Sequence, residues 1–294
     1  IYKKNKIEKS PLTTPDSVIL NKQLNLISKK KCEKLVIEAS SIGLEQSRLF
    51  PIKFDKVAFS NLSRDHLDYH KNFYNYKKSK SLLFTEHTKK KSIAIINTDN
   101  RFSDFFFNVC KEQQLKILDY GKTGKFLKIS TFQKKSGGFE YQILLKNIKK
   151  KIFTKAISEY EVYNKLCALI LIFGEKLEFS NFNLLNSLKN PPGRLDKVKK
   201  NWNIFVDYAH TPDALNNVLS NLKKNCKGNL FTIIGCGGDR DKEKRPLMSK
   251  EALKFSDLVI ITDDNPRNED PGKIRKDMIR KLTIIIPTIL TKTI

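Results

Sequence analysis

The chain is short of the features that mark several protein classes. Its 294 residues include five cysteines, one tryptophan and two methionines, and no Cys-x-x-Cys pair occurs. Cys32, Cys110, Cys167, Cys226 and Cys236 are odd in number and scattered, which excludes a disulfide scaffold and a zinc ribbon and fits a reducing cytosol. Each reads as a small buried hydrophobe. Long apolar runs are missing: Leu166–Phe173 and Leu282–Leu290 fall well below the ~20 residues of a membrane-spanning helix. The chain opens with neither a signal peptide nor an initiator Met. It has no fixed-period repeat, no long low-complexity tract and no Gly-x-x-x-x-Gly-Lys-Ser/Thr phosphate loop.

Acidic residues are also few. There are 31 Asp+Glu against 56 Lys+Arg, a formal net charge of +25. The basic runs, Lys29-Lys30-Lys31, Lys89-Lys90-Lys91, Lys149-Lys150-Lys151 and Lys199-Lys200, are dispersed, are all lysine and are not interleaved with aromatics as a base-stacking platform requires. With abundant Asn, Ile and Phe, this is the composition that an AT-rich genome produces. Neither a nucleic-acid partner nor a membrane span is expected.

What is present is a globular composition, 39% hydrophobic and 30% charged, at a length that suits two domains. Short β-branched runs end abruptly in polar residues: Leu35–Ile37 at Glu38, Val57–Phe59 before Asn61, and Ile93–Ile96 at Asn97 and Asp99. Further on, Ile204–Val206 meets Asp207, Leu230–Ile234 meets Gly235, and Leu258–Ile261 meets Thr262-Asp263-Asp264. These read as buried strands, and helical patterns at Glu161–Phe173, Pro212–Asn225 and Lys244–Phe255 alternate with them. The expectation is an α/β fold: a doubly wound, mostly parallel sheet followed by a second, Rossmann-like α/β domain. Asn190-Pro191-Pro192-Gly193 punctuates the chain and divides it into 1–192 and 193–294. The alternating segment Lys122–Lys155 reads as an antiparallel appendage. Ligands of such sheets lie beyond the carboxyl ends of the strands, where these polar residues collect.

Three groups there can carry chemistry. Asn61–His70, with Glu38 and Lys80, offers a carboxylate and imidazoles suited to a divalent ion; singly, His66 is as readily a hydrogen-bonded core group. Gly235-Cys236-Gly237-Gly238-Asp239-Arg240-Asp241 follows a strand, and its glycines allow backbone N–H groups to approach an anion, although many strand-to-helix turns contain glycine. Asp264-Asn265-Pro266-Arg267 is either an ordinary polar turn or a clamp for a zwitterion, Arg267 on a carboxylate and Asp264 on an ammonium.

The strings Leu12–Pro15, Glu38–Ser41, Asn61–His70, Tyr76–Lys80, Gly193–Leu195, Asp207–Leu215, Gly235–Asp241, Lys244–Met248 and Asp264–Arg267 occur in an order that closely resembles the Mur ligases of peptidoglycan synthesis, in the branch that adds the third residue of the stem peptide. The resemblance runs from Leu12 to about Pro271. It implies a cytoplasmic, monomeric, ATP-dependent amide ligase that uses Mg2+ and joins meso-diaminopimelate to a UDP-muramoyl dipeptide through an acyl phosphate.

By the same resemblance, Glu38, His66 and a carbamylated Lys80 are magnesium ligands, and Lys80, His66 and Arg194 are catalytic. Thr13, Thr14, Ser40, Gln46 and Arg48 match contacts to the UDP-muramoyl substrate. Asn164, Arg194, Asp207 and His210 match ATP contacts, and Arg240, Asp264, Asn265 and Arg267 match the amino-acid pocket. The Asp-Asn-Pro-Arg string goes with diaminopimelate rather than lysine. Ile42, Ser158, Asn100 and Glu243 depart from the family's usual His, Gly, Asp and Gly. The family's UDP-binding domain and Gly-Lys-Thr loop should precede Leu12, and a Gly-Lys-Gly-His-Glu segment should follow Pro271. Neither string stands at its expected place, so the chain reads as the middle and C-terminal parts of a longer ligase, inactive by itself. Two other readings stand beside this one: a folylpolyglutamate or cyanophycin synthetase-like ligase, and a non-catalytic basic binding protein.

Overall fold

The computed structural model describes residues 2, 3, 6, 7, 10, 12–30, 32–199, 201–280, 282 and 289–292. Lys31, Lys200 and the tail segment 283–288 lie outside these described residues. A short ribbon, β1 (Tyr2–Lys3) with β2 (Lys6–Ile7), precedes α1 (Ser17–Lys29) and α2 (Ser41–Glu45). Then follow β3 (Phe54–Phe59), α3 (Leu67–His70), α4 (Phe73–Thr85), β4 (Thr88–Asn97), α5 (Ser103–Glu112), β5 (Lys116–Gly121), β6 (Leu127–Lys135), β7 (Gly138–Leu145), β8 (Ile148–Lys155) and α6 (Glu159–Phe173). These strands form one six-stranded sheet in the order β3-β4-β5-β6-β7-β8, parallel from β3 to β6 and antiparallel from there to β8.

The first sheet is doubly wound because its central strands are apolar on both faces. Ile95 and Leu118 point into a core closed by Val162, Leu166 and Ile170 of α6. Ala94 and Ile96, on the other face, pack with Tyr76 and Phe84 of α4 and Phe106 of α5. The helices start where side chains satisfy their first N–H groups: Asn72 caps α4 and Ser158 caps α6.

Two expectations for this part need correction. The segment 122–155 is antiparallel from β6 to β8 as expected, but it continues the main sheet rather than hanging from it. Tyr120 and Gly121 of β5 pair with Leu127 and Lys128 of β6, and Leu127, Ile129, Tyr141 and Ile143 complete the core beneath α6. Nor does Leu35–Ile37 form a strand. A strand needs a hydrogen-bonding neighbour, none of the described residues supplies one, and Val36 is 84% exposed.

Beyond the loop 188–195, β9 (Asp196–Lys197) and β10 (Phe205–Val206) form an antiparallel ribbon rather than a parallel strand of a sheet. The second, smaller sheet has β11 (Phe231–Ile234), β12 (Leu258–Thr262) and β13 (Ile289–Lys292), all parallel. Among the described residues of the tail, 289–292 form a paired strand. Helices α7 (Pro212–Asn225), α8 (Lys244–Phe255) and α9 (Pro271–Ile279) cover the face bearing Ile234, Val259 and Ile261. Thr211 caps α7 ahead of Pro212, and Asp270 caps α9 ahead of Pro271. Among the cysteines, Cys110, Cys167 and Cys236 are buried as expected, but Cys32 is exposed and Cys226 half-buried. The thiols of these last two lie against the carbonyls of Lys34 and Gly228. No helix among the described residues is long and apolar enough to cross a membrane.

Candidate active site

The loops after β3, α1 and β10 meet at the carboxyl end of the first sheet, and the second sheet's loops face them. On the first side, the Thr14 hydroxyl donates to the Glu38 carbonyl at 2.8 Å and accepts the Ser40 N–H at 2.9 Å. Ser40 caps α2 through the Gly43 N–H, and a Cβ at Gly43 would come within 2.8 Å of Thr14. Arg48 donates to the Thr14 carbonyl and to the Gln46 amide oxygen, and Gln46 donates onward to the Tyr69 hydroxyl. Four of the five expected UDP-substrate residues are therefore one connected cluster. Thr13 is exposed beside it with no side-chain hydrogen bond among the described residues.

His66 adopts a left-handed backbone, φ +52°, made tolerable by Asp65, whose carboxylate accepts the His66 N–H at 2.9 Å. Desolvation lowers the pKa of the imidazole, leaving it neutral and able to donate a lone pair. The Lys80 ammonium lies 5.2 Å from the centre of the Tyr76 ring. Burial pulls its pKa down, against the opposing pull of Asp65 and Glu38. His70, fully buried at the end of α3, bridges Ser41 at 2.9 Å and Glu45 at 2.8 Å, and the Ser79 hydroxyl of α4 donates to Glu45 at 2.9 Å, which ties α2 to the helix that carries Lys80.

Across from these groups stands His210. Its Nε2 donates to Asp65 at 2.9 Å and its Nδ1 to the Tyr208 carbonyl at 3.0 Å. Two donors on one ring make an imidazolium, and its pKa is raised chiefly by the Asp65 hydrogen bond. Asp65 itself is held down to about 2: His210, His66 and Lys244 outweigh its burial, the largest single influence and an opposing one. Arg64 meets Asp241 at 3.2 Å and Arg240 meets Asp68 at 3.6 Å. The segment 64–68 is thus bound to the second sheet's loops by a set of charge pairs.

The Asp207 carboxylate accepts N–H groups from Leu195 and Ala209, both at 2.8 Å, and so joins the Arg194 turn to the His210 loop. Arg194 lies 5.0 Å over the Tyr208 ring. Asn164 is exposed; its neighbour Tyr163 donates to Asp99 at 2.5 Å, which fixes the start of α6 against the end of β4.

The Gly235–Asp241 loop is not a free anion cradle. The Gly238 N–H donates to the Asn265 carbonyl at 2.9 Å, and the Asp239 N–H donates to Glu269 at 2.6 Å. Arg267 donates to the Gly238 carbonyl at 2.8 Å, so the loop and the Asp264–Arg267 turn are zipped together with Arg240, Asp264 and Asn265 exposed around them. Sequence reasoning missed Asp65, Lys244, Arg245 and Glu269. All four stand inside or beside the quoted strings, but nothing in a string distinguishes a buried, paired charge from a solvated one.

Among the described residues no group of three His, Cys, Asp or Glu side chains is assembled for a metal. The donors at hand are the Glu38 carboxylate, the neutral His66 imidazole and Lys80, which becomes an oxygen ligand only when carbamylated. In that form the set suits a hard divalent ion.

Fold and site together define a two-sheet α/β protein whose facing loops are joined by charge pairs. The chain belongs to the Mur ligase family: the Mur ligase middle domain matches residues 2–172, and the Mur ligase glutamate ligase domain matches residues 193–289. Among its relatives, a UDP-N-acetylmuramoyl-L-alanyl-D-glutamate–2,6-diaminopimelate ligase of Aquifex aeolicus is 39% identical over 275 residues, covering 93% of this chain and 56% of that one. The same-named protein of Rickettsia typhi is 40% identical over 272 residues, covering 92% and 55%. The chain therefore spans little more than half the length of these curated relatives. A solved structure of a protein of that name aligns with a TM-score of 0.64 at 33% identity, over 97% of this chain and 59% of its own. A folylpolyglutamate synthase from Mycobacterium tuberculosis, complexed with ADP and AMPPCP, aligns at 0.65 but with 17% identity over 81% of this chain and 54% of its own, a likeness of fold alone.

Proposed function

We propose that these residues are the middle and C-terminal domains, 1–192 and 193–294, of a cytoplasmic, monomeric ligase that uses ATP to join meso-diaminopimelate to UDP-N-acetylmuramoyl-L-alanyl-D-glutamate. The observation that carries this reading is the meeting of the 64–68 segment with His210 and with Arg240, Asp241 and Lys244, while Gln46 of the 38–48 segment bonds to Tyr69 beside it. Thr13, Thr14, Ser40, Gln46 and Arg48 hold the UDP-muramoyl dipeptide, with Arg48 supplying a fixed positive charge for its anionic groups. Asn164 meets the adenine, while Asp207 and His210 shape the loop that receives the nucleotide. Arg194, steadied over Tyr208, neutralises phosphate oxygens.

The reaction moves the γ-phosphoryl group of ATP to the D-glutamyl carboxylate and forms an acyl phosphate; the amine of the incoming amino acid then displaces phosphate. Its demands are alignment, charge neutralisation and exclusion of water. Burial, by lowering the Lys80 pKa, enlarges the share of neutral amine, the form that adds CO2 and loses a proton to become a carbamate. With Glu38 and His66 the carbamate holds Mg2+, which when bound supplies positive charge at the transferring phosphoryl oxygens. Arg267 and Arg240 grip the distal carboxylate of diaminopimelate, and Asp264 and Asn265 receive its ammonium. The test is ADP release by the full-length form with both substrates. Equal turnover with L-lysine would overturn the diaminopimelate assignment, and release that ignores the UDP-linked dipeptide would overturn the ligase reading.

A further inference from the structure

Arg245 is fully buried in α8, where an unpaired guanidinium would be prohibitively costly. Its Nη1 donates to Glu269 at 3.1 Å and to Asp277 at 2.9 Å. Its Nη2 donates to Glu269 at 2.8 Å and lies 3.4 Å from the Gly237 carbonyl. The two-pronged grip fixes the plane of the Glu269 carboxylate. The same carboxylate accepts the Asp239 N–H at 2.6 Å. Asp239 in turn takes the N–H and the side-chain amide of Asn268, at 3.2 and 2.9 Å. Arg240 follows Asp239 directly, and Arg267 stands two residues before Glu269. Both cations of the proposed amino-acid pocket thus leave the backbone next to one carboxylate that neither of them touches. Asp277 holds the same guanidinium, yet its side chain reaches neither loop among the described residues.

We propose that Glu269, locked by Arg245, is a positioning residue that sets the spacing between Arg240 and Arg267 and thereby the fit of a dicarboxylic amino acid. This rests on the pocket reading given above. Asp277 supplies the internal control, because it shares the buried charge without sharing the loop contact.

The experiment compares Glu269→Gln and Asp277→Asn in the full-length form, by amide hydrogen exchange and by titration with 2,6-diaminopimelate. Glu269→Gln is expected to speed exchange at Asp239 about tenfold, the value of one hydrogen bond to a charged group, and to weaken diaminopimelate binding by a similar factor. Asp277→Asn should leave both within roughly twofold. Glu269→Asp keeps the charge beside Arg245 but withdraws the oxygens by one methylene, so it should reproduce the exchange change even if the glutamine variant fails to fold. Equal exchange in the Glu269 and Asp277 variants would overturn the proposal, as would no change in either. A wild-type chain that takes up no diaminopimelate, with the exchange difference intact, would overturn the pocket reading and leave the latch between the loops standing.

Discussion

Along β4, Ala94, Ile95 and Ile96 are all completely buried, whereas along β11 Phe231 and Ile233 are more than 60% exposed while Thr232 and Ile234 are covered. Both runs are apolar in the sequence apart from Thr232, and such runs read as strands covered on both faces. The difference lies in the helices. The first sheet has α6 on one side and α4 and α5 on the other, while α7, α8 and α9 all pack against one face of the second. The second body takes part of its rigidity from elsewhere, from a guanidinium buried among two carboxylates and a carbonyl. One body is held mainly by apolar area, the other by area plus an ion cluster.

That contrast can be broken most forcefully at Arg245. Arg245→Ala leaves Asp277 without its ion-pair partner and Glu269 with Lys242 alone, and should cost about 3–5 kcal/mol, read by urea unfolding. Glu269, held to about 2 by Arg245, contributes stability that is complete above the ordinary 4.5 and lost as pH falls toward 2. The variant should lack that acid-dependent portion. Next in size is Ile95→Ala, about 3 kcal/mol with no dependence on pH, since only packing is removed. A smaller effect tests the open face directly: Ile234→Ala should cost about 2 kcal/mol, but Ile233→Ser should stay within roughly 0.5 kcal/mol. Similar losses at the two positions would show that both faces are covered in solution. The smallest effect is a titration. His210, observed by NMR, should have a midpoint above 6.5, and Asp65→Asn should bring it back down. The contact between the two bodies through His210 is therefore at full strength below pH 6.5 and fades as pH rises through the His210 midpoint.

Elements with local punctuation were legible in advance. Pro212–Asn225 and Lys244–Phe255 are helices at the expected residues, the first marked by its Thr211 cap and leading Pro212. Elements defined by distant partners were not. Leu35–Ile37 has the composition of a strand and no neighbour among the described residues, and Ile204–Val206 found an antiparallel partner in Asp196–Lys197. The strings of the site marked out loops that the fold brings to the carboxyl end of the first sheet. They did not foretell that Asp65 would hold His66 and His210 together, because Asp65 and Asp68 look alike in a string and only the fold makes one of them the meeting point.

The paired glycines 237 and 238 have a consequence for what substitutions this protein tolerates. Neither lies in the left-handed region, so any residue could adopt their backbone torsions. What excludes a side chain is crowding: a Cβ at Gly238 would fall 1.8 Å from the Pro266 carbonyl oxygen, and one at Gly237 would fall 2.7 Å from the Arg267 guanidinium. A glycine-rich stretch is usually taken as a source of suppleness. Here it acts as a machined clearance, letting two backbones lie flush, so that alanine at position 238 would force the loops apart rather than stiffen them.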